Sequence, residues 1–262
     1  MFPQSAPAGA SRAGARSGVM ILSLNASARR GFAVLVRTAR RDLGASLAVL
    51  VATLGLLAFL AIADAVSEGE TETLDRAILM ALRRPGRSHD LIGPHWLAGA
   101  ATDITALGSL TVLALLILLA CAILAVLRRW GQALLLLICA GGGLALSQGL
   151  KAAFGRERPG PDYRALETIN ASFPSGHALL SAVVFLTLGA MAARFVQGRR
   201  LKALALGAAI VLSLLVGVSR IYLGVHWASD VLAGWSVGAA WAMVCWLAAS
   251  VVTRWQSLRR PA

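Results

Sequence analysis

The chain has 262 residues, 58% hydrophobic and only 14% charged, with a mean hydropathy of +0.73. Soluble domains carry nearer ~25% charged residues, so this composition excludes a soluble enzyme and predicts a polytopic membrane protein built as one domain. A net charge of +13 would suit a nucleic-acid binder, but the basic residues cluster between apolar runs, where they read as a topology signal with some attraction to anionic lipid; no nucleic-acid partner is expected.

Residues 1–43 are rich in Ala, Gly, Ser and Arg and read as a mobile cytoplasmic tail. The apolar run at 18–24 is too short to span, no cleavage site follows it, and Met20 could serve as the start. Arg37, Arg40 and Arg41 lead into a first span over 45–65. Glu68, Glu70, Glu72 and Asp75 then precede an apolar run at 77–82, followed by Arg83, Arg84, Pro85 and Gly86. Acid before base suits the macrodipole of a short helix. Its apolar run is too short to cross, so it is expected to lie in the interface, either shaping lipid access or inert, with inert the default. His89 and His95, either side of Pro94, read as solvated loop residues.

Five further apolar runs follow, at 107–127, 133–150, 178–196, 201–218 and 231–252, each near the ~20 residues a bilayer core requires. The expected fold is therefore an all-α, six-span bundle over residues 44–253, with an interfacial amphipathic helix between spans one and two. A short basic tail over 254–262 ends the chain. Gly141, Gly142, Gly143, Gly234 and Gly238 supply small surfaces for close helix packing within the bundle rather than for a dimer. Cys121, Cys139 and Cys245 lie within apolar runs and read as small packing residues. With the N-terminus inside, 16 of the 25 Lys and Arg fall on inner segments, so the basic bias predicts both termini in the cytoplasm.

With that parity, three polar clusters meet at the outer surface. Lys151-Ala-Ala-Phe-Gly-Arg-Glu-Arg158-Pro159 is a basic flank, and arginine can grip two phosphate oxygens at once. Ser172-Phe-Pro174-Ser175-Gly176-His177 precedes span four. Proline suits a first helical turn, and free N–H groups at a helix start bind anions. Ser219-Arg220-Ile-Tyr-Leu-Gly-Val-His226-Trp-Ala-Ser-Asp230 joins spans five and six. Gly224 allows a turn there, and His226 and Asp230, four apart, would share one helix face. A carboxylate so placed holds an imidazole in one tautomer, as a nucleophilic or basic histidine needs. Each cluster also has a plainer reading: a basic flank, a capped helix start, an interfacial anchor. Together they describe phosphoryl transfer through a covalent histidine. No acidic cluster suits Mg²⁺ and no spacing suits zinc, so neither metal nor cofactor is expected.

The joint pattern Lys151-x6-Arg158-Pro159, Pro174-Ser175-Gly176-His177 and Ser219-Arg220-x5-His226-x3-Asp230 resembles the tripartite signature of the type 2 phosphatidic acid phosphatase (PAP2) superfamily. The resemblance covers about 45–252 and leaves out the N-terminal tail. It implies that His226 attacks phosphorus, Asp230 orients it, and His177 protonates the leaving oxygen. It also implies that Lys151, Arg158 and Arg220 bind phosphoryl oxygens, with Ser175 and the Gly176 N–H completing the cradle.

The function so implied is metal-independent removal of phosphate from a membrane lipid phosphate or pyrophosphate at the outer face of a bacterial inner membrane. Undecaprenyl pyrophosphate leads, and phosphatidylglycerophosphate, phosphatidic acid and diacylglycerol pyrophosphate are the other substrates the family suggests. A lipid or sugar phosphotransferase using the same intermediate is the alternative. A transporter or flippase ranks below both, because the charges lie at one surface and no inverted repeat is evident.

Overall fold

The computed structural model describes residues 43–166 and 170–258. The predicted tail over 1–43 lies outside the described residues except for its last one, and so does 259–262 of the predicted C-terminal tail. The chain divides into two units, Met1–Leu47 and Ala48–Ala262, and the architecture below is that of the second.

The first span is α1 (Leu43–Ser67), followed by the short helix α2 (Glu72–Ala81). A two-stranded antiparallel ribbon comes next, β1 (Arg83–Arg84) on β2 (Arg87–Leu91), with Arg83 opposite Leu91. This ribbon is the one sheet among the described residues. It turns through Pro85 and Gly86, the latter at φ +75°, which glycine adopts at little cost. Then come α3 (His95–Ala106), α4 (Leu110–Val126), α5 (Trp130–Phe154), a 3₁₀ turn (Pro161–Tyr163), α6 (Gly176–Phe195), α7 (Arg199–Tyr222) and α8 (Ala228–Leu258).

Five of these helices, α1 and α5 to α8, are long and apolar enough to cross a membrane. A sixth crossing requires α3 and α4 together, which bend by 49° at residues 107–109. The second predicted span is thereby corrected. It is not one run over 107–127 but an elbow whose upper arm begins at His95. Ser109 restarts the helix by capping it, its Oγ accepting from the Val112 N–H at 3.3 Å. His95 opens a helix rather than sitting in a loop, and both it and His89 are exposed.

The bundle is built around α6. Of its most apolar window 61% is buried, against 17–33% in the other long helices. Their outward faces carry Leu54, Leu57, Leu134, Leu137, Ile210 and Leu214, all exposed, which is the apolar surface that lipid rather than water requires. The α6–α8 contact depends on absent side chains. A Cβ at Gly234 would stand 2.7 Å from the Ser175 carbonyl oxygen, and one at Gly238 2.6 Å from that of Leu179. The two glycines face Ala178 and Ala182 on α6, so this small-residue motif packs within one chain, as predicted. The close approach also sets the axial register of α6 against α8, which aligns the start of one helix with the start of the other.

Candidate active site

The three polar clusters converge at one end of the bundle. They stand on the last turn of α5, the loop after it, the start of α6, the end of α7 and the start of α8. α5 stops at Gly155, which takes the left-handed conformation (φ +56°) and closes the helix on the Lys151 carbonyl at 3.1 Å. Lys151 turns its Nζ onto the Ala171 carbonyl oxygen at 2.6 Å. The loop between α5 and α6 is pinned by Phe173, fully buried, whose ring meets Phe154 at 4.9 Å and Phe59 at 6.0 Å between centroids. Pro174 precedes the helix rather than joining its first turn, and its peptide bond with Phe173 is cis. Ser175 occupies the N-cap of α6, yet its hydroxyl makes no capping bond. Gly176 lies against α5, where a Cβ would stand 3.3 Å from Ser147 Oγ and 3.5 Å from Lys151 Cε.

α7 carries Arg220 inward on its last turn, 4% exposed. The chain then reverses at Gly224 (φ +69°), where a Cβ would strike the Tyr163 carbonyl oxygen at 2.0 Å and Arg83 Nη2 at 2.2 Å. Glycine is required here both by conformation and by space. His226 and Asp230 are not both helical, contrary to the expected shared face. His226 stands just before α8 and Asp230 lies in its first turn. The carboxylate reaches back, accepting from the Trp227 N–H at 3.0 Å and from His226 Nδ1 at 3.3 Å, both on Oδ2.

This geometry selects the tautomer. Arg158 Nη1 lies 3.2 Å from His226 Nε2, and a guanidinium can only donate, so Nε2 accepts and the ring proton sits on Nδ1 facing Asp230. The ring is 2% exposed, and burial pulls its pKa down to about 3 against the opposing pull of Asp230. The imidazole is therefore neutral, with a lone pair on Nε2 directed at a cation. Burial also lowers the pKa of Arg158, with Asp230 opposing it; a guanidinium stays charged regardless.

Among the described residues five buried side-chain polar atoms have no hydrogen-bond partner, and two of them, Ser175 Oγ and Arg220 Nε, belong to the motif residues gathered here. Such orphans are costly unless a ligand satisfies them. A hydroxyl, a guanidinium N–H and the free N–H groups of the first turn of α6 are the donor set of an anion site. The side chains of Arg220, His226, Lys151 and Arg158 all bear electrostatically on His177. Every residue expected at the site therefore lies at this end: Lys151, Arg158, Ser175, Gly176, His177, Arg220, His226 and Asp230.

Several partners were not foreseen. Thr105 on α3 accepts from Arg220 Nη1 at 3.1 Å. Gly108, in the elbow, backs His177 so closely that a Cβ would stand 3.3 Å from its ring. Ser172 donates to Asp230 Oδ2. Arg83, 5% exposed, donates to the Tyr222 and Tyr163 carbonyl oxygens and so braces the Gly224 turn. Arg156 bonds both Asp230 Oδ1 at 2.6 Å and Asp75 Oδ2 at 2.9 Å. Asp75 lies in the first turn of its own short helix, as the dipole argument expects, but it is also 3% exposed and accepts from the backbone and hydroxyl of Ser229 on α8. Burial of a carboxylate within reach of a motif arginine was the only clue, and burial is not visible in one sequence. Among the described residues no group of three or more His, Cys, Asp or Glu is placed to hold a metal ion.

Residues 130–254 match the PAP2 superfamily profile. The chain is 33% identical over 184 residues to phosphatidylglycerophosphatase B of Bacillus subtilis, covering 70% of this chain and 86% of that relative. A shorter match, 40% over 68 residues, covers 26% of this chain and 29% of an undecaprenyl-diphosphatase of Sulfolobus acidocaldarius. The crystal structure of a transmembrane PAP2-type phosphatidylglycerolphosphate phosphatase from Bacillus subtilis superposes with a TM-score of 0.67 at 30% identity, over 80% of this chain and 97% of that one. LpxE of Aquifex aeolicus, at 24% identity and a TM-score of 0.50 over 66% of this chain and 93% of that one, shares the fold. With the helical bundle and the convergent motifs, these likenesses show that the chain belongs to the PAP2 superfamily and is one of its membrane-embedded hydrolases.

Proposed function

We propose that the protein dephosphorylates membrane lipid phosphates or pyrophosphates through a phosphohistidine on His226, without a metal. The observation that carries this reading is the oriented imidazole: Nδ1–H on Asp230, Nε2 facing Arg158, beside two orphaned donors. In the first step Nε2 bonds to phosphorus and the bond to the leaving oxygen breaks, with His177 supplying that oxygen's proton. Asp230 stabilises the ring as it becomes positive. In the second step His177 takes a proton from water, the water oxygen bonds to phosphorus, and the N–P bond breaks to release phosphate. Lys151, Arg158, Arg220, Ser175 and the Gly176 N–H hold the three phosphoryl oxygens as charge develops on them, the preorganised stabilisation from which most of such a rate enhancement comes.

The substrate class we favour is an isoprenoid pyrophosphate such as undecaprenyl pyrophosphate, with phosphatidylglycerophosphate next; the names of two relatives support both. The basic bias of the loops supports termini in the cytoplasm and a site on the outer face of the inner membrane. Purified protein in detergent with EDTA, offered farnesyl or undecaprenyl pyrophosphate, phosphatidylglycerophosphate and phosphatidic acid, tests the reading. Release that survives the chelator and falls by orders of magnitude in His226→Ala is expected. Near-normal release by His226→Ala would overturn the mechanism.

A further inference from the structure

The link between α2 and the nucleophile is not needed to bind phosphate, yet it is among the most heavily bonded parts of the site. α2 buries only Asp75 and Leu79. Beside it lies a cleft of about 580 Å³, lined also by Glu72, Arg76, Met80, Tyr163 and Trp227, so little apolar packing holds the helix down. Its attachment is polar and centres on one arginine. Arg156 Nη2 donates to Asp75 Oδ2 at 2.9 Å and to Thr71 Oγ1, the N-cap residue of α2, at 3.0 Å. Its Nη1 donates to Asp230 Oδ1 at 2.6 Å and to Ser229 Oγ at 2.7 Å. Asp75 Oδ1 accepts the Ser229 N–H at 2.9 Å, an otherwise orphaned donor at the start of α8. The exposures of 15% for Arg156 and 0% for Asp230 place this chain of bonds out of bulk water, where charge-assisted bonds are strong.

The consequence falls on His226. Asp230 Oδ2 orients the imidazole, and among the described residues the only hydrogen bond on its other oxygen comes from Arg156. Three donors already hold Oδ2, from Ser172, His226 and Trp227; the Arg156 bond on Oδ1 braces the other side of the carboxylate and ties its plane to α2. We propose that Asp75 and Arg156 are positioning residues for the nucleophile: they clamp the free oxygen of Asp230 to interfacial helix α2, so that His226 keeps its attacking orientation only while α2 is docked. This rests on the phosphohistidine reading above. It makes α2 a part of the catalytic apparatus rather than an inert surface helix.

The test is steady-state hydrolysis of a soluble-chain lipid phosphate by detergent-purified wild type, Arg156→Gln, Arg156→Lys, Asp75→Asn and the double variant Asp75→Asn/Arg156→Gln. Arg87→Gln, which removes an exposed arginine paired with Asp90, and His226→Ala are the controls. Misplacing a reacting group by about 1 Å costs about 100-fold in rate. Arg156→Gln is therefore expected to lower kcat about 100-fold with KM within about threefold of wild type, since no phosphate-binding group is removed. Arg156→Lys, able to reach one carboxylate, should recover part of the loss. Asp75→Asn keeps an acceptor for the Ser229 N–H, so it should fold, and it should lower kcat about tenfold. The double variant should be no slower than Arg156→Gln, because both residues act through one bond chain. Inhibition by orthovanadate, which takes up the five-coordinate geometry of the transition state, should weaken in step with kcat, while inhibition by inorganic phosphate stays unchanged. Folded Arg156→Gln and Asp75→Asn with kcat within twofold of wild type would overturn the proposal. So would losses confined to KM, or equal losses in Arg156→Gln and Arg87→Gln. Wild type as inactive as His226→Ala on every lipid would instead overturn the functional reading beneath it.

Discussion

Replacing Asp230 by Asn removes one charge and little else. Oδ2 accepts from Ser172 Oγ, His226 Nδ1 and the Trp227 N–H, and Oδ1 from Arg156. An amide has one accepting oxygen and one donating NH₂. With its NH₂ toward Arg156, two donors face each other and a charge-assisted bond worth about 1.5–3 kcal/mol is lost. With its NH₂ toward His226, the ring must accept on Nδ1 and move its proton to Nε2, which takes away the attacking lone pair and sets an N–H against Arg158. Either way a cation mostly out of water loses one of its two carboxylates, and removing one partner of a buried pair costs about 3–5 kcal/mol. Single-turnover phosphate release should fall by about 10³–10⁴, as a buried carboxylate–histidine couple loses when its tautomer is wrong. Thermal unfolding in detergent should shift down in parallel. Asp230→Asn retaining more than a tenth of wild-type turnover would refute both the tautomer assignment and the role drawn from it.

Two more outcomes follow from the same structure. Folded His226 has its pKa pulled down to about 3 by burial, whereas an unfolded histidine titrates near 6.5. Between those values only the unfolded chain binds the proton, so stability is full above about pH 6.5 and falls as pH drops toward 3, by about 1.4 kcal/mol per unit. The melting temperature should show this slope in wild type and a shallower one in His226→Gln; equal slopes would show that the ring is not held neutral. Gly238→Val would drive a methyl into the Leu179 carbonyl oxygen and part α6 from α8. Activity should be lost even where the protein still elutes as a folded species, because Ser175 and Asp230 are hydrogen-bonded backbone to backbone across that contact; full activity would show that the register tolerates slippage.

Much of the site was legible because its chemistry depends on residue types that a membrane segment rarely carries. Lys151, Arg158, His177, Arg220, His226 and Asp230 stood out against apolar surroundings, and span parity was enough to predict their meeting. The second span was misread for a local reason: the arm over 95–106 contains His, Thr and Asp and only moderate apolarity, so it resembles a loop until the elbow packs it on α7. The partners of Asp75 were hidden for a different reason. That residue had a sufficient local explanation in the dipole of its own helix, and nothing in the surrounding residues hints that its partners are Arg156 and Ser229. Arg156 was likewise visible within its motif but indistinguishable there from an ordinary basic flank.

Composition and order of residues alone determined that this is a membrane-spanning bundle, where its long helices lie and which unusual residues share one end, because hydropathy over ~20 residues and the cost of intramembrane charge are local properties. The tertiary structure decided which nitrogen of His226 faces Arg158, which oxygen of Asp230 is left for Arg156, and that α2 is tied to both. Those are matters of a few ångströms between segments some 70 to 150 residues apart, set by how closely Gly234 and Gly238 let two helices approach and by which buried donors find acceptors once they do.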